Sequence, residues 1–313
     1  MSDFYPEKPP LNEKESNGNI ALTILSIIVF LLTFYMIFSD DILFISLLFI
    51  VLFIHEIGHF SFMKWFKYKH VKMLFVPLMG AFVQGKKKIY SQKESLLVVG
   101  AGPFPGIILG VVFFFLFLNF KEDWLLFTSI TFMLLNIVNL LPLDPLDGGQ
   151  LFKLLVNSKS DIFLLIFSLL SSLALIGIGY YFDSWLMMGF GFFMSFKVRN
   201  LQQLYCIRKE LRSINLNYNL LYSELSNKDY AQIKNVLLDY SPTLNKMMSI
   251  SDEDLDDIVS SQIDSVLINP VKKDASVIFR FFIICFWLLS FIIPMFLFVN
   301  YRIMDFVYAI YTR

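Results

Sequence analysis

Apolar segments, each about as long as a bilayer-crossing helix, divide most of this sequence. A bilayer offers the backbone no hydrogen-bond partners, so a chain that crosses it must fold there as helices or as a closed barrel. Segments of roughly 20 mostly apolar residues match the helical solution. The sixth of these segments is short, and we therefore expect six or seven spans. The segments lie at about 20–38, 42–63, 95–118, 124–141, 161–181, 185–197 and 276–299.

The amino-acid composition indicates the same class of protein. Apolar residues make up 57% of the chain, Phe alone contributes 36 residues, and the mean hydropathy is +0.64, all above the usual values for soluble domains. The 26 basic and 26 acidic residues cancel, so no overall charge favours a nucleic-acid partner. Cys206 and Cys285 lie far apart and form no disulfide or metal-binding pattern. We expect a mostly α-helical, polytopic membrane bundle.

Changes in polarity along the chain indicate seven regions. The polar start of the chain predicts disorder, and helical spacing of apolar residues within a charged segment predicts a small helical domain outside the bilayer. The predicted order is a disordered cytoplasmic tail at 1–19, an accessory transmembrane helix at 20–38, a motif-bearing core at 39–160, further transmembrane segments at 161–197, a helical cytoplasmic domain at 198–275, a C-terminal transmembrane helix at 276–299 and a short tail at 300–313.

One stretch of the core, at about 71–90, is too short and too interrupted to form a span. Pro77, Gly80 and Gly85 break its apolar sequence, while its Phe and Val residues favour strands. We expect a small β-hairpin or a re-entrant segment at the membrane face.

The positions of the basic residues orient the predicted spans. Most of the Lys and Arg residues fall in segments 1–19, 64–94, 142–160 and 198–275, which would share one side of the membrane. Cytoplasmic loops carry an excess of Lys and Arg, so these segments, the N-terminus among them, are predicted to be cytoplasmic. We expect a multi-pass integral protein of the cell membrane.

The second predicted span contains two of the chain's three histidines, His55 and His59, with Glu56 between them. Residues four apart project from the same face of a helix, so both imidazoles can bind one ion while Glu56 reaches its edge. Zinc hydrolases use this arrangement, in which the carboxylate accepts a proton from water. Ionisable groups inside a membrane are costly, which favours a functional site over a chance match.

Two histidines leave a tetrahedral metal ion in need of a third protein ligand. Asp147 is the preferred candidate, because it follows an apolar helix ended by prolines, precedes a Gly-Gly pair that permits a tight turn, and falls on the same predicted side of the membrane. His70 lies in a basic segment and is expected to face solvent or lipid headgroups. Asp144 is a rival ligand, but it precedes Pro145 instead of the glycine pair.

Three motifs together resemble the site-2 protease family of intramembrane zinc metallopeptidases, peptidase family M50. They are HEIGH at 55–59, GAGP at 100–103 and NLLPLDPLDGG at 139–149. The likeness covers roughly residues 42–160 and identifies the core at 39–160 as a metalloprotease core.

The resemblance implies a role for individual residues and for one Zn²⁺ per chain. Glu56 would be the general base, and Asn139 would hold the substrate backbone or the developing oxyanion. The implied zinc ligands are His55, His59 and Asp147.

Two polar positions leave alternatives open. Asn139 can instead form an interhelical hydrogen bond with no catalytic role, although Asn136 fits that alternative better. Relatives commonly have asparagine where this chain has Gly106, which places in doubt a polar contact from that helix. Gly102, Gly106 and Gly110 recur at four-residue spacing, and this pattern favours close packing of another helix.

The preferred function is that of a zinc metalloendopeptidase that cleaves transmembrane protein or peptide substrates within the lipid bilayer. A substrate helix must unwind before its amides can be attacked, and the hairpin at about 73–85 can bind it as an added strand, with Gly80 allowing close approach. The alternatives are a catalytically inactive scaffold, and a transporter, for which we find no internal repeats. The oligomeric state is left open.

Overall fold

A computed structural model describes residues 5–11, 20–37, 42–76, 80–156, 160–250 and 255–301. The α-helices are α1 (Ile20–Ile37), α2 (Ile42–Trp65), α3 (Gln92–Gly100), α4 (Pro103–Phe120), α5 (Asp123–Asn139), α6 (Asp147–Val156), α7 (Asp161–Tyr181), α8 (Trp185–Ser213), α9 (Asn227–Tyr240), α10 (Pro242–Ile250), α11 (Asp256–Val266) and α12 (Val277–Asn300). The strands are β1 (Lys69–Val76), β2 (Gly80–Lys86), β3 (Tyr90–Ser91) and β4 (Val271–Lys272).

The predicted mostly α-helical membrane protein is confirmed, whereas the number of spans stays a prediction. Within the described residues, four helical stretches are long and apolar enough to cross a bilayer. Two shorter apolar helices, Ala21–Ile37 and Asp123–Asn139, coincide with the first and fourth predicted spans. The four longer stretches are Ile42–Trp65, Gln92–Phe120, Asp161–Tyr181 and Val277–Asn300.

Helix α8 continues without a break through the predicted boundary at residue 197, so this boundary is not a helix end, and its place as a domain boundary stays a prediction. The helix begins at Trp185 with its N-cap Ser184 and ends at Ser213. The sequence around residue 197 contains neither proline nor glycine, and a change from apolar to charged residues does not by itself end a helix. The short sixth segment is therefore the first part of a longer helix.

The chain divides into two compact units. One contains residues 1–16, 88–90 and 158–272, and the other contains residues 17–87, 91–157 and 273–313. We refer to them as the helical unit and the core unit, respectively.

In the core unit, a two-stranded antiparallel hairpin occupies the region predicted as a hairpin or a re-entrant segment. Met73 lies opposite Val83, and Phe75 lies opposite Ala81. Pro77 falls in residues 77–79, outside the described part of the chain. Gly80 has a φ of +94°, a backbone angle that L side chains rarely adopt, and this angle accounts for the glycine.

Helix α1 covers the outer edge of the hairpin. Thr23 Oγ1 donates to the Met73 carbonyl oxygen at 3.0 Å, and the Phe75 backbone N–H donates to Ser26 Oγ at 3.2 Å. The side chains of Phe30, Met73 and Phe75 form the buried centre of this contact. An exposed strand edge carries unpaired backbone groups, and two hydroxyls from α1 satisfy two of these groups on β1.

The helical unit contains α7 to α11 and packs around an apolar core that includes Ile207, Leu211, Ile233 and Ile263. The start of the chain also contributes to it. Lys8 Nζ donates to the backbone oxygens of Tyr222, at 2.8 Å, and of Leu225.

The predicted disorder of residues 1–19 does not extend to residues 5–11. In addition to the Lys8 contacts, the Tyr222 hydroxyl donates to the Pro9 carbonyl oxygen at 2.8 Å. Burial raises the pKa of Tyr222 to about 12, with further contributions from Asp264 and Asp256, so the phenol keeps the proton it donates. The remainder of the predicted tail, and residues 302–313 of the predicted C-terminal tail, lie outside the described residues.

A buried ion pair connects α7 to α8. Arg208 donates from one terminal nitrogen to Asp161 Oδ1 at 2.7 Å and from Nε to the Val266 carbonyl oxygen at 2.9 Å. Arg212 donates to the other oxygen of Asp161 at 3.1 Å, but its side chain is 53% exposed.

Arg208→Ala is expected to destabilise the helical unit far more than Arg212→Ala. The first change removes the buried partner of Asp161, and losing one member of a buried pair costs about 3–5 kcal/mol. The second removes a partner that water already screens, for a cost of about 1 kcal/mol or less. Thermal unfolding of both variants in detergent measures the difference, and equal shifts in melting temperature would contradict it.

Candidate metal centre

Helix α2 carries the two histidines and the glutamate of the HEIGH motif. His55 and His59 lie one helical turn apart and are 3% and 8% exposed. Their Nε2 atoms are 3.1 Å apart. The predicted common face of the helix is therefore present, and both imidazoles are buried on it.

Asp147 is the first residue of α6, and its carboxylate reaches both imidazoles. Asp147 Oδ2 lies 2.9 Å from His55 Nε2 and 3.2 Å from His59 Nε2. The following glycines are part of the helix rather than of a separate tight turn. A Cβ on Gly148 would lie 1.9 Å from the Leu140 carbonyl oxygen, so close backbone packing explains this glycine.

The other nitrogen of each imidazole identifies the tautomer. His59 Nδ1 lies 2.8 Å from the Val98 carbonyl oxygen, which can only accept a hydrogen bond. His55 Nδ1 lies 2.8 Å from Asn136 Oδ1, and the amide nitrogen of Asn136 donates to the Phe132 carbonyl oxygen. Both histidines therefore carry a proton on Nδ1, which leaves Nε2 as the ligand atom of each imidazole in its neutral form.

The donor set of His55, His59 and Asp147 fits a metal ion. Their ligand atoms all lie within 4.8 Å of one another. A tetrahedral zinc ion with ligands at about 2.0–2.1 Å holds its donors roughly 3.3 Å apart, close to the spacings found between these atoms. Two lone pairs and a carboxylate that converge without a cation repel one another, and a metal ion satisfies all three at once.

The charge state of Asp147 suits a cation. Burial raises the pKa of this carboxyl, but the positive charge that His59 and His55 carry when protonated lowers it overall, and a bound cation would act in the same direction. The group is therefore the anionic ligand of the set.

Glu56 lies beside these ligands and is itself 4% exposed. Its Oε2 atom is buried and has no hydrogen-bond partner among the described residues. Buried carboxylate oxygens are normally hydrogen-bonded, because leaving one unsatisfied is costly. This unsatisfied oxygen belongs to the residue that follows His55, and its role as a general base stays a prediction.

Two glycines bring the GAGP loop against the HEIGH helix, a contact that the sequence pattern did not predict. A Cβ on Gly58 would lie 2.0 Å from the Ala101 carbonyl oxygen. A Cβ on Gly102 would lie 2.3 Å from His59 Nε2 and 2.9 Å from His55 Nε2. Gly102 therefore leaves open the space directly beside the two lone pairs. The GAGP motif was the available signal, but the spacing of its glycines indicated only helix packing.

The other residues considered as site candidates lie in different surroundings. Asp144 pairs with Lys153 Nζ at 2.8 Å, and His70 is a half-buried residue of β1 with a φ of +51°. Neither is part of the described group that could hold a metal. Asn139 donates to the Leu135 carbonyl oxygen at 3.2 Å, and its role towards substrate stays a prediction.

Comparisons with known proteins agree with this geometry. Residues 43–125, which include the HEIGH and GAGP motifs, match the model of peptidase family M50. A zinc metalloprotease of Methanocaldococcus jannaschii is 33% identical to this chain over 127 residues. The resemblance to the M50 peptidases is confirmed.

Each of these matches covers only part of the proteins compared. The alignment with the zinc metalloprotease covers 37% of this chain and 36% of the relative, so the chain spans about a third of that relative's length. A solved site-2 protease from Methanocaldococcus jannaschii covers 57% of this chain, which covers 87% of that structure, with a TM-score of 0.43 and 21% identity. The M50 match ends before Asp147, whose placement rests on the geometry above.

Gly102→Ala is expected to weaken zinc binding at least about tenfold, because the added methyl group would displace the Nε2 atoms of His59 and His55. Zinc affinity in detergent, measured by competition with a chelator, checks this. Gly110→Ala is the matched control, since its Cβ would meet the Met133 side chain at 2.5 Å, away from the ligands. Equal affinities in the two variants would contradict the role given to Gly102.

Proposed function

We propose that this protein is an intramembrane zinc metalloendopeptidase. One observation carries the proposal: the imidazoles of His55 and His59, on a helix long enough to span a bilayer, converge with the Asp147 carboxylate of α6, and Glu56 of the same long helix has a buried, unsatisfied oxygen. The M50 match and the relative named as a zinc metalloprotease support the choice of metal and of reaction.

Each residue of the site would have a separate role in hydrolysis. His55, His59 and Asp147 would hold the ion, which when bound supplies a Lewis acid that polarises the peptide carbonyl and acidifies water. Glu56 Oε2 accepts a proton from the attacking water and returns it to the amide nitrogen as the carbon–nitrogen bond breaks. Asn139 would hold the substrate backbone or the oxyanion, once its amide is released from the Leu135 carbonyl oxygen.

The substrate would be a transmembrane protein or peptide. Every backbone group of a membrane helix is already paired, so the segment to be cut must first be held in an extended form. A β-hairpin at the membrane face provides a template for such a strand. The positive charge of the predicted inner segments supports a cytoplasmic N-terminus and a cytoplasmic opening of the site, from which a cut membrane-tethered protein would be released.

The hydroxyls of α1 favour one edge of the hairpin for substrate. They already bond to Met73 and Phe75, whose outward backbone groups form the free side of β1. Backbone groups alternate in direction along a strand, so the residues opposite them, Val83 and Ala81, point their N–H and C=O groups outward from β2. We therefore propose that a substrate strand adds to β2.

Asp147→Asn is expected to lower zinc content well below the wild-type value of about one ion per chain, because an amide is a weaker ligand than a carboxylate. Zinc is measured on purified protein in detergent, with His59→Ala as a second ligand variant. Asp144→Asn is the matched control: it removes an acid three residues away that pairs with Lys153, and zinc should stay. A metal-replete wild type without zinc would contradict the proposed function.

Glu56→Gln is expected to keep its zinc and lose cleavage of a transmembrane substrate by about 10²–10⁴-fold, the contribution typical of a general base. A gel assay with a reconstituted helical substrate measures the rate. Full cleavage by this variant would contradict the role of Glu56. Zinc binding with no cleavage by the wild type, over a panel of membrane substrates, would instead indicate a scaffold derived from a protease.

Val83→Pro is expected to slow cleavage about fivefold, because it removes one outward N–H and one intermolecular hydrogen bond is worth roughly 1 kcal/mol. The bonds between β1 and β2 should survive, since they belong to the alternate residues. Val83→Ala trims the side chain but keeps the amide, and it is the control. If both variants cleave at the same rate, substrate does not bind along this edge.

A further inference from the structure

Asn136 is a fully buried polar residue near the end of α5, and its exposure is 0%. Its Oδ1 accepts from His55 Nδ1 at 2.8 Å, and its Nδ2 donates to the Phe132 carbonyl oxygen at 2.8 Å. If the amide were turned over, its oxygen would face the Phe132 carbonyl oxygen at 2.8 Å, and two acceptors cannot share a hydrogen bond. These contacts therefore determine the orientation of the amide. Asn136 thus joins α5 to a metal ligand on α2.

The facing helix provides the space for this amide. A Cβ on Gly106 of α4 would lie 2.2 Å from Asn136 Nδ2 and 2.7 Å from its Oδ1. One turn along α4, Ser129 of α5 donates to the Gly110 carbonyl oxygen at 2.7 Å. Both contacts cross the α4–α5 interface, but only the one at Gly106 also reaches a ligand.

The two histidines are therefore oriented in different ways. His59 bonds to a backbone carbonyl, that of Val98, which no substitution removes. His55 bonds to a side chain, which one substitution can remove. Such partners hold the tautomer and the ring orientation of a metal-binding histidine and raise its basicity.

We propose that Asn136 is a positioning residue that holds His55 in its Nδ1–H form and thereby sets the metal affinity, with Gly106 providing the space that the amide needs. This inference rests on the proposed metal site. It assigns chemistry to a residue for which the sequence predicted only an interhelical contact. It also accounts for glycine at position 106, where an asparagine side chain would occupy the volume of the Asn136 amide.

Two substitutions of similar size separate positioning from packing. Asn136→Leu fills the same volume without an acceptor, and zinc binding should weaken about 10–100-fold. Asn136→Asp keeps an acceptor for His55 Nδ1, and zinc affinity should stay within about threefold of the wild type, a change that is small on the same scale. Its loss of the donor to Phe132 is expected to lower the melting temperature instead. A packing role alone predicts equal zinc affinities for the two variants, because both lose the hydrogen bond to the Phe132 carbonyl oxygen.

The measurement is a titration of each full-length variant in detergent with Zn²⁺ against a chelator of known affinity, beside thermal unfolding of the same samples. Ser129→Ala is the control, because it removes a buried hydrogen bond from the same helix pair without touching a ligand. Its zinc affinity should equal that of the wild type. Asn136→Ala is the second variant should the Asp substitution prevent folding, and it should lose affinity as the Leu variant does.

The possible results are distinct. Wild-type affinity in Asn136→Leu or Asn136→Ala, or equal losses in the Leu and Asp variants, would overturn the positioning role while leaving the metal site intact. A wild type that binds no zinc would overturn the proposed function itself. Weak binding in Leu and near-normal binding in Asp would support the inference.

Discussion

The candidate site depends on the two hydrogen bonds that hold the Nδ1 atoms of His55 and His59. With Nδ1 of His59 donating to a backbone carbonyl and Nδ1 of His55 donating to Asn136, both Nε2 lone pairs must point towards Asp147. Without these bonds the rings could turn or exchange tautomers, and the three donors would no longer converge. The three ligand atoms could then hold a cation, and Glu56, the residue after His55, has an unsatisfied oxygen.

Convergence of these groups requires helices that approach more closely than side chains normally allow. Gly58 admits the backbone of the GAGP loop, Gly102 leaves the space beside the ligand nitrogens, and Gly106 admits the amide of Asn136. The loop also separates α3 from α4 at residues 101–102, inside an otherwise continuous apolar stretch. Both residues keep right-handed helical dihedral angles, but Pro103 and Pro105 interrupt the regular hydrogen bonds, and α2 packs against the backbone at this point.

Local sequence patterns predicted much of the candidate site. They could not predict the contacts between segments that are distant in the sequence. The four-residue spacing of His55 and His59 places both on one face of a helix whatever its neighbours are, and Asp147 was predicted from its motif and its side of the membrane. The contact between Asn136 and His55 joins residues 81 positions apart, and it depends on the rotation of two helices that no periodicity specifies. The continuity of α8 was missed for a related reason, since polarity reports the surroundings of a helix rather than its end.

The hairpin and the metal ligands are connected through one rigid helix. A Cβ on Gly85 of β2 would lie 3.2 Å from the sulfur of Met63, so β2 packs on the last turns of α2. Met63 lies one helical turn beyond His59, about 6 Å along the axis. A strand bound along β2 would therefore be held by the same helix that presents the ligands, with no flexible linker between capture and cleavage. Because α1 covers the β1 edge of the sheet, the proposed substrate strand would add to the β2 edge, which packs on α2.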